Sequence, residues 1–104
     1  MDPRVIEQIE PFTAGLEKLR ELTPYRWRYN GLGGTEEGAT GVGLLAEDAR
    51  VSLPEAVRHY HARLQRHDDE LTAIAVVGWE AVVWMLLNAV RELDQELQEL
   101  KGGK

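Results

Sequence analysis

The clearest hydrophobic pattern in the sequence lies in its last quarter. From residue 79 onward, large apolar residues recur at alternating intervals of four and three, which is the spacing of positions a and d in a coiled coil. This spacing predicts a helix from about Gly78 to Leu100 with one apolar seam. The residues of this seam are Trp79, Val83, Leu86, Val90, Leu93, Leu97 and Leu100.

The two halves of this predicted helix differ outside the seam. Val82, Trp84, Met85 and Leu87 make the first half apolar on several sides, so that it needs more than one covering surface. From Arg91 onward the non-seam residues are polar or charged, which favours burial of the seam by other copies of the helix. The alternative is that the seam packs on sheets of its own chain. In simple leucine zippers, valine at a with leucine at d favours a parallel coiled coil of two helices.

Shorter elements are predicted upstream. Apolar residues at helical spacing predict a helix from about residue 11 to 22, with Pro11 in its first turn. The segment "TPYRWRYN" alternates aromatic residues with Arg26 and Arg28, which predicts a strand with one aromatic and one basic face. The turn-forming segment "NGLGGTEEGAT" and the apolar "GVGLL" then predict a β-hairpin.

The middle of the chain predicts a second hairpin after two short helical pieces. The segment "AEDAR" indicates a short helix, and Ser52, followed by Pro54 and Glu55, resembles a capping box that begins another. The segments "YHARLQ" and "ELTAIAV" indicate two strands joined by the acidic turn "RHDDE". The predicted fold class is α+β, with a small sheet of hairpins, short helices and a long C-terminal helix. One domain is expected, with a globular body at 1–77 and a coiled-coil helix with a flexible tail, "KGGK", at 78–104.

Composition narrows the possible functions. The 104 residues carry a formal net charge of −6, which argues against a surface that binds nucleic-acid phosphates. The sequence has no cysteine, so disulfides and thiolate chemistry are excluded. It has no apolar run of the ~18 residues that a membrane span needs, and no signal-peptide pattern at its start. No membrane partner is therefore expected.

Several polar groups are candidates for chemistry, and each has a simpler interpretation. His59 and His61 point to one side of a predicted strand and could bind a metal with Asp68 or Asp69, but a clear ligand set of four is lacking. The segment "NGLGG" lacks the Lys-Ser/Thr of a phosphate loop. Acidic pairs in predicted turns and the two strand arginines are expected to be solvated. No metal and no cofactor are expected.

Three ordered blocks of residues resemble the C-terminal intramolecular chaperone domain of phage tail spikes, tail fibres and endosialidases. The resemblance covers nearly the whole chain and includes the long C-terminal helix. The blocks, in chain order, are Asp2, Arg4 and Ile9; Pro24, Tyr25 and Trp27; and a central block of Gly43, Leu44, Leu45, Ala46, Glu47, Asp48 and Ala49 that continues with Pro54, Glu55 and Val57.

The resemblance implies a homotrimer that assists the folding of an upstream fibre domain of the same polypeptide. It also implies a place of action in the host cytoplasm during assembly, or on the virion tail fibre. Members of the family cleave themselves with a Ser–Lys dyad, whose positions correspond here to Met1 and Ile6. Isoleucine cannot accept a proton, so we expect no enzyme activity. The alternatives are an active self-cleaving chaperone, in which Met1 replaces a native serine, and a free-standing coiled-coil adaptor.

Overall fold

The chain is built around the first half of its long C-terminal helix. The computed structural model describes residues 1–102. The order of helices and strands is α1 (Leu16–Leu19), β1 (Tyr25–Arg28), β2 (Thr40–Gly43), α2 (Ala46–Ser52), β3 (Val57–Ala62), β4 (Thr72–Val77) and α3 (Trp79–Gly102), with short 3₁₀ turns at Pro3–Val5, Leu32–Gly34 and Pro54–Ala56. The predicted α+β class is confirmed.

The four strands form two antiparallel hairpins, as the sequence predicts, but the hairpins are two separate sheets and not one small sheet. In the first, β1 pairs with β2 and Trp27 lies opposite Gly41. In the second, β3 pairs with β4 and Tyr60 lies opposite Ile74. The second hairpin begins at Val57 rather than at Tyr60, because the Pro54–Ala56 turn already ends there.

The loop of the first hairpin joins it to the second. The Gly33 N–H donates to the carbonyl oxygen of Leu64 over 2.9 Å, and the Tyr60 hydroxyl donates to the carbonyl oxygen of Gly33 over 2.8 Å. Gly33 is buried at φ +63°, a conformation that glycine adopts readily. The predicted turn segment therefore also connects the two sheets.

Two of the predicted helices are confirmed. The segment "AEDAR" begins α2. Glu47 and Asp48 lie in its first turn, where their negative charges interact favourably with the helix dipole. The long C-terminal helix begins at Trp79 and runs to Gly102. It therefore includes Lys101 and Gly102 of the predicted flexible tail, whereas residues 103–104 lie outside the described part of the chain. The expected boundary between body and helix, at 77/78, stays a prediction.

The predicted helix from about residue 11 to 22 is wrong in extent. Only Leu16–Leu19 is α-helical, and Gly15 before it has φ −148° and ψ −133°. The backbone of residues 12–16 instead bonds to side chains of α3, described below. These tertiary bonds replace the local bonds that a helix would need, so that helical spacing alone overestimated the length.

The predicted capping role of Ser52 is also wrong. Ser52 is the last residue of α2 and is buried, and no side chain caps the following Pro54–Ala56 turn. The Leu53 N–H donates to the carbonyl oxygen of Ala49 over 2.7 Å. The helix therefore continues through the expected start site and ends by placing Leu53 in the core.

The core lies where α2 and the Pro54–Ala56 turn meet α3. Its centre consists of Leu53, Ala56 and Met85, which are almost completely buried. Half-buried residues from α1 and its flanking segments, from β4 and from α3 surround this centre: Phe12, Ala14, Leu19, Leu22, Val77, Ala81 and Val82. Neither hairpin alone supplies the centre of the core.

The molecule is long because α3 extends beyond the body. Its extents are 66 × 37 × 20 Å and its radius of gyration is 18.4 Å, against about 13 Å for a compact domain of about 100 residues. At about 1.5 Å per residue, a helix of the length of α3 spans about 36 Å. The second half of α3 therefore projects away from the core.

Truncation of the core leucine is predicted to be costly. Leu53→Ala leaves a cavity at the centre of the core and should lower the free energy of unfolding by about 2–5 kcal/mol. The control is Val51→Ala, on the exposed side of α2, which should change it by less than about 0.5 kcal/mol. Urea unfolding of both variants at one chain concentration measures the difference. Equal losses would contradict the position of the core.

Candidate assembly surface

The seven seam residues of α3 are exposed in the single chain. Their exposed fractions range from 42% at Val83 to 78% at Leu100, and Trp79 is 72% exposed. The seam therefore does not pack on the sheets of its own chain, which was the alternative interpretation of the pattern. It forms a continuous apolar stripe along the whole of α3, and nothing in residues 1–102 covers this stripe.

A different face of α3 holds the body. Met85 and Ala89 are buried, and Ala81 and Val82 are half-buried against the core. With about 100° per residue, the centre of this inner face lies about 120° around the helix axis from the centre of the stripe. The helix thus presents one apolar face to its own body and a second to solvent.

Two polar side chains on the inner side of α3 bind the segment before α1. The Asn88 side-chain amide donates to the carbonyl oxygens of Phe12 and Ala14 over 2.8 and 2.9 Å. The Leu16 N–H donates to the Glu92 carboxylate over 2.8 Å. These three bonds are called the polar clamp below. A Cβ atom at Gly15 would overlap the Glu92 carboxylate, so a larger residue there would displace this side chain from its bond to the Leu16 N–H.

The N-terminal family residues form a small structure of their own. The Asp2 side chain accepts a bond from the Arg4 N–H over 2.9 Å and thus caps the turn Pro3–Val5. Its carboxylate also pairs with the Arg4 guanidinium over 2.6 Å. These bonds lower the pKa of Asp2 and raise that of Arg4. Met1 and Ile6, at the positions of the family's dyad, are both exposed.

Trp27 accounts for the two glycines of β2. Its indole ring lies across this strand, so that a Cβ atom at Gly41 would collide with the ring and one at Gly43 would contact it tightly. Trp27 also packs edge to face on Tyr29, with ring centroids 6.2 Å apart. The "GVG" pattern therefore leaves room for one large aromatic side chain on β1.

The remaining residues of the central block form the helix and the turn that connect β2 to the core. Ala46 and Glu47 begin α2, and Pro54 begins the turn that contains Glu55 and ends at Ala56. Because Leu53 and Ala56 contact Met85, this block of the family pattern packs directly on α3.

The other candidate groups lie apart from one another in the described part of the chain. His59 and His61 are exposed on one side of β3, opposite Ala75 and Ala73. No group of three or more His, Asp or Glu side chains within residues 1–102 could hold a metal ion. Asp68 accepts a bond from the Gln65 N–H over 3.0 Å and so stabilises the β3–β4 turn. Arg26 and Arg28 are exposed on β1.

Two concave surfaces flank α3. A groove of about 600 Å³ lies between the two hairpins and the start of α3, and its lining is mostly apolar. A cleft of about 1090 Å³ lies between the segment before α1 and the second half of α3, and several of its residues are acidic. Within the described residues, no helix has the length and apolar content to cross a bilayer.

Sequence analysis missed the polar clamp and the groove. Asn88 is a polar residue inside an apolar run, which was a signal for a buried hydrogen bond. Glu92 gave no such signal, because it stands among other charged residues. The groove combines residues from five separate segments and depends on how the two hairpins meet, which one sequence does not reveal.

Comparison with known families identifies the chain. A model of the family described as chaperone of endosialidase matches residues 2–58, which is more than half of the sequence. The chain belongs to this family. The match contains all of the family residues named above, from Asp2 to Val57, and ends at the start of β3. None of the curated proteins matches the chain.

Family membership supports a role as an intramolecular chaperone. The matched region includes the N-terminal turn, the first hairpin, α2 and the Pro54–Ala56 turn. The match does not include β4 or α3, so the stripe and the walls of the groove that β4 and α3 supply are known from the structure alone.

The polar clamp should contribute measurably to stability. Glu92→Ala removes the acceptor of the partly buried Leu16 N–H and should lower the free energy of unfolding by about 1–3 kcal/mol. Glu92→Gln keeps a carbonyl acceptor and should lose less. Glu99→Ala, an exposed position two turns further along the same side of α3, is the control. Urea unfolding at a fixed chain concentration checks this, and equal losses in the two alanine variants would contradict a specific role for Glu92.

Proposed function

We propose that the chain is a trimerising intramolecular chaperone for an upstream phage tail fibre or tail spike, and that it acts without cleaving itself. The observation that carries this proposal is the exposed apolar stripe on α3, which lies on a helix that projects from the body. The family match supports the chaperone role. The partners are two further copies of the chain and the fibre domain of the same polypeptide.

The stripe has enough apolar surface to support association. Full burial of a leucine or valine side chain contributes about 1.5–3 kcal/mol. Seven seam residues, each at least 42% exposed, would therefore contribute on the order of 10 kcal/mol per helix. Association of chains costs an estimated ~4–15 kcal/mol. The two magnitudes are similar, so a contact between the bodies would add useful affinity.

A trimer is favoured over a dimer. The preference of valine at a and leucine at d for a two-helix coiled coil was found in simple zippers. This seam has only about three heptads, so the preference is a small contribution here. The first half of α3 exposes further apolar side chains, Trp84 and Leu87, beside the seam. These widen the contact beyond a two-stranded seam. The fibres that family members assemble are three-fold, and a closed three-fold ring satisfies every copy equally.

The chaperone mechanism follows from three parallel helices on one axis. Each helix carries its own body, and each body leads upstream to one chain of the fibre. The entropy of bringing three chains together is then lost once, in this domain, before fibre strands begin to pair. The assembly therefore holds the three chains in register in the host cytoplasm during virion assembly.

The absence of cleavage is inferred from two side chains. A serine nucleophile needs a proton acceptor within hydrogen-bond reach. Ile6 has no atom that accepts a proton, and Met1 has no hydroxyl to activate. Both lie exposed in the N-terminal segment next to the Asp2–Arg4 pair. The domain would consequently stay attached to the fibre that it assembles.

The seam is predicted to be necessary for a trimer. Native mass spectrometry of the 104 residues should give three times the chain mass of 11.8 kDa. Leu93→Asp with Leu97→Asp places unpaired charges in the seam, where their desolvation is costly, and should give a folded monomer. The matched control is Gln95→Asp with Gln98→Asp, which adds the same charges off the seam and should stay trimeric.

Two outcomes would contradict this proposal. A stable dimer of the unmodified chain over a range of concentrations would exclude the three-fold assembly and most of the case for a tail-fibre role. An unchanged mass for the Leu93/Leu97 variant would show that the stripe is not the contact. Circular dichroism of each variant checks that the body stays folded.

A longer chain with its natural upstream sequence is predicted to stay intact. The reason is that Ile6 cannot act as the base of a dyad. Denaturing gels after expression should show one full-length band. The paired substitution Met1→Ser with Ile6→Lys is the matched variant, because it returns both groups of the family's dyad. A clean fragment of the unmodified chain that begins at or near residue 1 would overturn the prediction.

A further inference from the structure

Two large side chains on α3 belong neither to the seam nor to the inner face. Trp84 is 58% exposed and Leu87 is 46% exposed. In the heptad count that puts Val83 at a, Trp84 falls at b and Leu87 at e. Positions b and e usually carry polar residues, and one heptad later they are Arg91 and Asp94. The pair is therefore apolar only at the level of the body.

The apolar groove lies at the same level on the other side of the stripe. Its helical wall consists of Trp79 and Val82, at heptad positions d and g. Trp27, Ile74 and Val77 are among the hairpin residues that form its other walls. Its volume of about 600 Å³ is in the range of sites that hold a ligand or several side chains. No segment of the described chain fills it.

The heptad geometry predicts what a neighbouring helix would bring to this groove. In a parallel coiled coil in register, position g of one helix lies beside position e of the next, five residues further along the sequence. Val82 at g is therefore matched by Leu87 of the neighbour at e, and Trp84 at b lies on the outer side of that residue. In a parallel register Trp84 and Leu87 of the neighbour thus lie about 3 and 7.5 Å further along the axis than Val82, within reach of the groove.

Charge complementarity supports the same parallel arrangement. The g–e rule also matches Glu96 at g with Lys101 of the neighbour at e, and both are exposed. This is the only g–e match on α3 in which both residues are charged, and the charges are opposite. An antiparallel arrangement would instead place position e beside e and position g beside g, so that Glu96 would lose Lys101 as its partner. The parallel register is therefore the one that the surface charges favour.

From these observations we infer that Trp84 and Leu87 of one subunit occupy the groove beside Val82 of the neighbouring subunit. The occupant is a second copy of this chain, and the groove is incomplete without it. The contact is heterologous, since the pair and the groove lie on different sides of α3. Heterologous contacts form closed rings when the rotation that relates neighbouring subunits is a whole fraction of a full turn. This inference rests on the parallel assembly of the proposed function and adds the contact between helix and body that would set its symmetry.

Removal of the pair should weaken association without affecting the fold of the subunit. Trp84→Ser with Leu87→Ser changes two exposed residues, and buried tryptophan anchors often dominate an interface. The dissociation constant measured by sedimentation equilibrium should rise by roughly thirtyfold or more. The matched control is Arg91→Ser with Asp94→Ser. It changes the same heptad positions one heptad later, beyond the groove, and should leave the dissociation constant nearly unchanged.

A cross-link gives a second readout that does not depend on affinity. The chain has no native cysteine, so thiols can be placed freely. Leu87→Cys chains mixed with Val76→Cys chains, whose thiol lies in the groove wall, should form a disulfide between chains under mild oxidation. Asp94→Cys mixed with Val76→Cys is the control and should not.

The outcomes separate the two proposals. If the unmodified chain is a monomer, the proposed function and this inference both fail. If it is an oligomer whose affinity is unchanged by the Trp84/Leu87 variant and no cross-link forms, the inference alone is wrong, and the groove serves another occupant such as the upstream fibre. If the Trp84/Leu87 variant associates more weakly but has also lost its circular dichroism signal, its weaker association could result from unfolding. The cross-link then decides, and its absence would overturn the inference.

Discussion

The whole structure depends on the contact between the inner face of α3 and the Leu53–Ala56 corner. A two-stranded hairpin is marginal in water when it stands alone, and this chain has two hairpins that do not pair with each other. The second hairpin has direct support, because Val77 at the end of β4 packs against the cluster of Leu53, Ala56 and Met85. The first hairpin is held through its loop, since Gly33 bonds to Leu64 and Tyr60 of the second hairpin region. Both sheets therefore depend on this contact, and the first sheet depends on it indirectly.

The same contact connects the family pattern to the helix outside it. The matched residues end at Arg58, and Leu53 and Ala56 lie within the match. Their main partner, Met85, lies in α3, outside the match. The central block therefore packs on the inner face of α3, and the stripe, about 120° around the helix axis, takes no part in this contact. The part of the chain that the family model matches and the helix outside the match thus share one core.

The sequence predicted those features that depend on local periodicity. The alternation around Trp27, the glycines of β2 and the spacing of the seam each specify an element and the side it exposes. The predictions that failed depend on distant partners. The helix expected at 11–22 is shortened because Asn88 and Glu92, more than 70 residues away, bind its backbone. Ser52 has the neighbours of a capping residue, but burial of Leu53 extends α2 through it. The groove could not be predicted, since it exists only where the two hairpins meet α3.

The polar clamp has a consequence for the geometry of the fibre. Asn88 and Glu92 hold residues 12–16 on the side of α3 that is turned away from the stripe. In a three-fold assembly with the stripes at the centre, the three clamped segments would pass along the periphery, separated by the full width of the helical bundle. In such an assembly, residues 1–11 of each chain would have to cover this separation before the three chains could meet.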